Sequence, residues 1–138
     1  MVLQNVEKHQ KKGRETIIIR PKYRNKKIVI DGITFDSTKE ARRYQELCLL
    51  LRAGEISDLE LQKEYILIPT QREADSIGKR GGKIQGKVIE HAVKYKADFS
   101  YKMNGKEIVE DTIGFKTKDY IIKRKLMLLV HGIRIKEV

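Results

Sequence analysis

The dipeptide Asn104-Gly105 stands between two runs of alternating polarity, 94–103 and 106–113. Both residues tolerate the left-handed backbone that a type I′ turn demands, so the dipeptide predicts a two-residue β-hairpin. Such a turn fixes register: Met103 pairs with Lys106, and paired residue numbers sum to 209. A four-residue loop on the same dipeptide gives the same register. A three-residue loop would slip one strand and turn its side chains to the other face. In the 209 register Asp98 lies opposite Asp111, with Cβ atoms ~5 Å apart on one face. Carboxylates that close repel each other. A divalent cation such as Mg²⁺, which prefers oxygen ligands, would relieve the repulsion. Solvation of an exposed sheet face would also make it tolerable. Glu110, by alternation, faces away from the pair.

The rest of the chain predicts a mixed α/β layer around this hairpin. "KIVIDGITF" carries a second type I′ signal at Asp31-Gly32. "DSTKEARRYQELCLLLRAGEI" reads as a helix with Ser37 as its cap and Gly54 as its stop. Its apolar stripe is Ala41, Tyr44, Leu47, Cys48 and Leu51. Glu40 completes an S-x-x-E capping box with Ser37, yet it also precedes Tyr44, Leu47 and Leu51 at helical spacing. A carboxylate on that side needs a partner, which capping or a shared metal would supply. "EYILIP" reads as a strand, and "SIGKRGGKIQGK" as an exposed loop or flexible hairpin. "TKDYIIKRKLMLLVHG" reads as a helix from Thr117 to Gly132 with Ile121, Ile122, Leu126 and Leu129 inward, and "IRIKEV" as a last strand. From Ser37 onward the order is helix, three strands, helix, strand.

Charge narrows the partners. Thirty Lys and Arg against 19 Asp and Glu leave +11 on 138 residues, which favours a polyanion, most often nucleic acid. Nine of the basic residues fall within 1–27, so residues 1–21 read as a basic arm that adds at most one short strand, followed by a single domain over 22–138. Cys48 is the only cysteine, which excludes an internal disulfide framework and fits a reducing cytoplasm. No apolar run reaches the roughly 20 residues of a membrane span. His9, His91 and His131 are scattered without zinc-ligand spacing. "GKRGG" lacks the rest of a phosphate-binding loop, so no nucleotide cofactor is indicated.

The ordered segments "KYRNKK", "GITFDSTKEARRYQEL", "LQKEYILIP", "YKADFSY", "EDTIG" and "GFKTKDYIIKRK" resemble the PD-(D/E)XK nuclease superfamily. They resemble more closely its small phage-encoded proteins similar to Holliday junction resolvases. The resemblance implies a restriction-endonuclease-like core and Mg²⁺-dependent hydrolysis of DNA, with Mn²⁺ able to substitute. It further implies branched DNA as substrate and a homodimer whose two active sites make symmetric cuts. Carried over by position, Asp98 and Asp111 are the acidic metal ligands, and Glu40 the helix glutamate that many members add. Lys116, Lys118, Lys123, Arg124 and Lys125 would meet phosphates, as would Gln62 and Tyr120 more weakly; Lys123 and Lys125 equally fit a plain solvent face.

The motif's lysine belongs two residues after Asp111, where Ile113 stands. Three explanations are open: an engineered inactivation, a migrated lysine, or a natural binder that no longer cuts. For migration, Lys96 falls opposite Ile113 in the 209 register and Lys116 follows shortly after. The rival to a nuclease is a non-catalytic DNA- or RNA-binding module with a vestigial metal site. For RNA, Tyr95, Phe99 and Tyr101 alternate as a stacking face would.

Overall fold

A computed structural model describes the backbone of residues 3–11, 14–21 and 27–138, with side chains from residue 27 onward. The chain forms two compact units, Met1–Arg42 and Arg43–Val138.

In the first unit, β1 (Leu3–Lys11) and β2 (Arg14–Pro21) pair antiparallel, with His9 opposite Thr16. The basic arm therefore holds two strands rather than one. β3 (Ile28–Ile30) and β4 (Ile33–Phe35) form the second hairpin. Asp31 and Gly32 lie at φ 52° and 75°, the conformation a type I′ turn requires. The helix α1 (Thr38–Arg52) begins here. Ser37 Oγ accepts the Glu40 N–H at 3.1 Å, satisfying one of the helix's unpaired donors. The Glu40 side chain is buried. Gly54, at φ 74°, ends the helix as expected.

The second unit is built on a sheet. β5 (Ser57–Leu61), β6 (Glu64–Ile68), four short strands β7 (Gln71–Arg72), β8 (Ser76–Ile77), β9 (Lys83–Ile84) and β10 (Val88–Glu90), then β11 (Val93–Lys96), β12 (Phe99–Met103) and β13 (Lys106–Asp111) precede α2 (Lys118–Leu126) and β14 (Lys136–Glu137). The main sheet runs β14-β13-β12-β5, with β14 parallel to β13. β12 and β13 pair from Met103–Lys106 to Phe99–Glu110, every pair in the 209 register. Asn104 and Gly105 have φ 50° and 74°. β5, at "SDLEL", was not expected: polar residues follow the helix stop directly, and its apolar content is too small to announce a strand.

The run 94–103 is two strands, not one. β11 pairs with β6, and β12 pairs with β13 and β5. Between them, Ala97 N–H bonds Lys63 O at 3.0 Å and Gln62 N–H bonds Asp98 O at 3.2 Å. Gln62 itself is left-handed, φ 57°, so both strand pairs turn the same corner together. Lys96 consequently sits opposite Glu64 rather than Ile113.

The corner also splits the aromatic row. Tyr95 and Ala97 join Tyr65, Leu67, Val109, Met127 and Ile135 in one cluster. Phe99, across from Glu110, and Tyr101, bonded to it, occupy the opposite face. All three aromatics are buried, so none offers a base-stacking surface.

α2 packs on the cluster through Tyr120, Leu126 and Met127. A π-turn over Met127–His131 ends it at Gly132. The wider turn shifts the helix phase. Met127 is fully buried, while Ile122 and Leu129, expected inside, are exposed at 57% and 80%. Of the two readings of 76–87, loop or hairpin, the structure has the hairpin, β8 with β9, and β7 pairs with β10 as a second tier. Among the described residues no helix is long and apolar enough to cross a membrane.

Candidate metal centre

β13 carries the site on one face and its anchor on the other. Glu110 points away from Asp111 and is fully buried. Arg43 grips it with two nitrogens at 2.7 and 2.8 Å, the Tyr101 hydroxyl donates at 2.5 Å, and Lys136 Nζ lies 3.3 Å away. Burial alone would raise the Glu110 carboxyl, but the Arg43 and Tyr101 bonds hold it below the usual range. Burial pushes the Tyr101 hydroxyl up to about 12, helped by Glu110. The acid beside Asp111 is thus a structural ion pair, as the alternation of the strand requires.

Asp98 and Asp111 meet where β12 and β13 end. One oxygen of each is tied down. Asp98 Oδ2 accepts the Thr112 N–H at 2.8 Å and the Thr112 hydroxyl at 2.6 Å. Asp111 Oδ2 accepts the Tyr95 hydroxyl at 2.6 Å. Gln62 Nε2 reaches Asp98 Oδ1 at 3.4 Å, a weak contact on its other side. Asp111 is pushed up to about 7, first by burial and then by the Asp98 carboxyl beside it, against a lowering by the Tyr95 bond. The Tyr95 hydroxyl is raised in turn by its own burial and by Asp111. An oxygen-only pair short of positive charge is a donor set that fits a hard divalent cation.

The other expected residues divide. Gln62 joins the pair. Tyr120 is near it: its hydroxyl is buried without a well-formed hydrogen bond among the described residues, and burial, then Glu137 and Asp111, push it up to about 12. Ile113 continues the parallel pairing beyond β13, its N–H on Val138 O at 3.3 Å. Lys116 Nζ is 2.6 Å from Glu137 Oε2 and Arg124 is 2.9 Å from Glu137 Oε1, which hold that carboxyl below its usual range. Lys118 opens α2 on its exposed side, Lys125 is exposed, and Lys123 is half-buried. Lys96 lies on β11, away from β13. Glu40 belongs to the N-terminal unit. Among the described residues, no three of His, Cys, Asp and Glu gather into a metal-binding group.

Sequence reasoning missed Thr112, Tyr95 and Glu137 as neighbours of the pair. Thr112 was legible in principle, since a hydroxyl next to an acid at a strand end often bonds locally. Tyr95 and Glu137 depend on the corner at Asp98 and on the parallel β13–β14 pairing, which no local pattern announces.

Comparison with known proteins gives a family but no described activity. No curated protein and no solved structure matches the chain. The family described as "Protein of unknown function (DUF1064)" matches residues 20–134, and the chain belongs to that family.

Proposed function

We propose that the chain is a metal-dependent, structure-selective DNA endonuclease of the PD-(D/E)XK kind, acting on branched DNA as a homodimer. The observation that carries this reading is the Asp98–Asp111 pair, with Asp111 raised to about 7 by burial and by its neighbour. Active sites are where like charges are kept together at such a cost. Asp98 and Asp111 would hold Mg²⁺ or Mn²⁺; Glu40 enters only from the resemblance. The bound cation would polarise the scissile phosphodiester and lower the pKa of a coordinated water. The chain's own part is orientation. Thr112 and Tyr95 fix Oδ2 of each carboxylate, while Asp98 Oδ1 carries only the weak 3.4 Å contact from Gln62 and can turn toward a ligand. Lys118, Lys123 and Lys125 add phosphate-neutralising charge without reading sequence.

A second reading, a DNA-binding protein without catalysis, is favoured by one observation. Among the described residues neither candidate lysine takes the place of Ile113: Lys96 pairs with Glu64 of β6, and Lys116 is held by Glu137. The test uses the protein and Ile113→Lys side by side, with Mn²⁺ calorimetry and cleavage assays on four-way and linear DNA. Metal binding that disappears in Asp98→Asn is expected of both. Ile113→Lys should cut ~10²- to 10³-fold faster, the range for one transition-state charge contact. Absence of any metal binding would sink the nuclease reading. Binding without cutting by either protein would establish the second.

A further inference from the structure

A concavity of about 370 Å³ opens between α2 and β14, lined by Arg124, Lys125, Leu128, Arg134, Ile135 and Glu137. Its charge is unbalanced. Three cations face one carboxylate, and Glu137 is already shared between Arg124 and Lys116 from outside the cavity. Lys125 and Arg134 are exposed and make no ion pair among the described residues. The guanidinium of Arg124 is further fixed over the Tyr120 ring, 5.9 Å from its centroid. Cations of one sign lining a concave wall focus their field there and raise the local concentration of an anion.

Position identifies the anion. Glu137 is the parallel partner of Asp111, so it shares a face with the carboxylate pair one strand away. Neighbouring strands are ~4.8 Å apart, and successive phosphates of one DNA strand rise ~3.4 Å. We infer that this cavity is a phosphodiester subsite, taking a backbone phosphate of the same strand one or two nucleotides from the phosphate at Asp98 and Asp111, with Arg134 and Lys125 as its contact residues. The inference rests on the nuclease reading for its direction along the DNA. The chemistry of the cavity would equally admit free phosphate. Arg134 carries no signal in the sequence, since it sits in a strand read only as the end of the chain.

The experiment measures binding of the full chain to a four-way junction in EDTA, over 50 to 200 mM salt. Each phosphate contact releases counterions and contributes about 0.9 to the slope of log affinity against log salt. Arg134→Gln combined with Lys125→Gln should flatten the slope by about that amount, and each single variant by part of it. Lys106→Gln, at the tip of the β12–β13 hairpin, should leave it unchanged. An unchanged slope in Arg134→Gln overturns the subsite, even if the protein cuts DNA with Mn²⁺. A flattened slope in a protein that binds no metal keeps the subsite and removes the nuclease reading. Inorganic phosphate, titrated while the Arg134 amide and guanidinium resonances are followed, separates the two sources of the ligand. Saturable shifts at Arg134 with no change in DNA slope would assign the cavity to free phosphate and overturn the proposal.

Discussion

Asp111 keeps its proton to a higher pH than an ordinary carboxyl, and this makes the residue a reporter on its surroundings. An unfolded Asp titrates near 3.9, whereas the folded Asp111 titrates at about 7. The folded state therefore binds the extra proton. Its stabilising effect is complete below about pH 4 and is lost as pH rises through about 7. Asp111→Asn should consequently raise the melting temperature at pH 8 in EDTA and leave it nearly unchanged at pH 4. Equal gains at both values would mean that ionisation of the buried Asp111 carboxyl is not the cause. The pair itself was legible in the sequence because Asn104-Gly105 leaves little freedom: both φ angles must be positive, and register follows. The oxygens that Thr112 and Tyr95 occupy were not legible. They depend on a corner that the unbroken alternation of 94–103 conceals.

Elements are held to one another by contacts far apart in sequence, and two of these can be broken singly. Arg43 and Glu110, 67 residues apart, join the helix α1 to the middle of the sheet. Glu110→Gln leaves a guanidinium only 17% exposed with Glu46, 2.7 Å away and half-exposed on the same helix, as its one remaining carboxylate among the described residues. Removing one partner of a buried pair costs ~3 kcal/mol or more, which urea unfolding at pH 7 would register. Because Glu110 is held below the ordinary carboxyl range, its contribution is present above that range and fades as pH falls through the folded pKa. The mutant and the parent should therefore converge in acid. The extension β7–β10 depends on Gly86, where a Cβ would lie 1.8 Å from Glu73 O. Gly86 also donates its N–H to Asp75 Oδ1 at 2.9 Å and accepts from Arg72 at 3.1 Å. Gly86→Ala should expose residues 72–90 to limited proteolysis while the main melting transition stays in place. A global loss of stability would show the extension to be part of the core. The glycines of that segment announced a break in periodicity but not the two-tier pairing, because two-residue strands have too few side chains to show an alternation.

At the scale of the whole molecule, +11 on 138 residues would, on the proposed reading, govern binding to DNA. Binding to a junction should weaken ~10³- to 10⁵-fold between 50 and 200 mM salt if six to ten phosphates are engaged. An affinity flat over that range would contradict a backbone-dominated contact. The mixed α/β class was legible from element order, since each long helix and the central hairpin carry their own start and stop signals. The division into two units was not, because the boundary falls inside α1, at Arg42 and Arg43, where the apolar stripe continues without interruption. The ribbon of β6 and β11 leaves the main sheet at the corner formed by Gln62, Lys63, Ala97 and Asp98, and the extension β7–β10 lies at its far end. In mechanical terms the corner is a fulcrum. Whatever swing the ribbon makes, displacement grows with distance along it and is smallest at the carboxylate of Asp98.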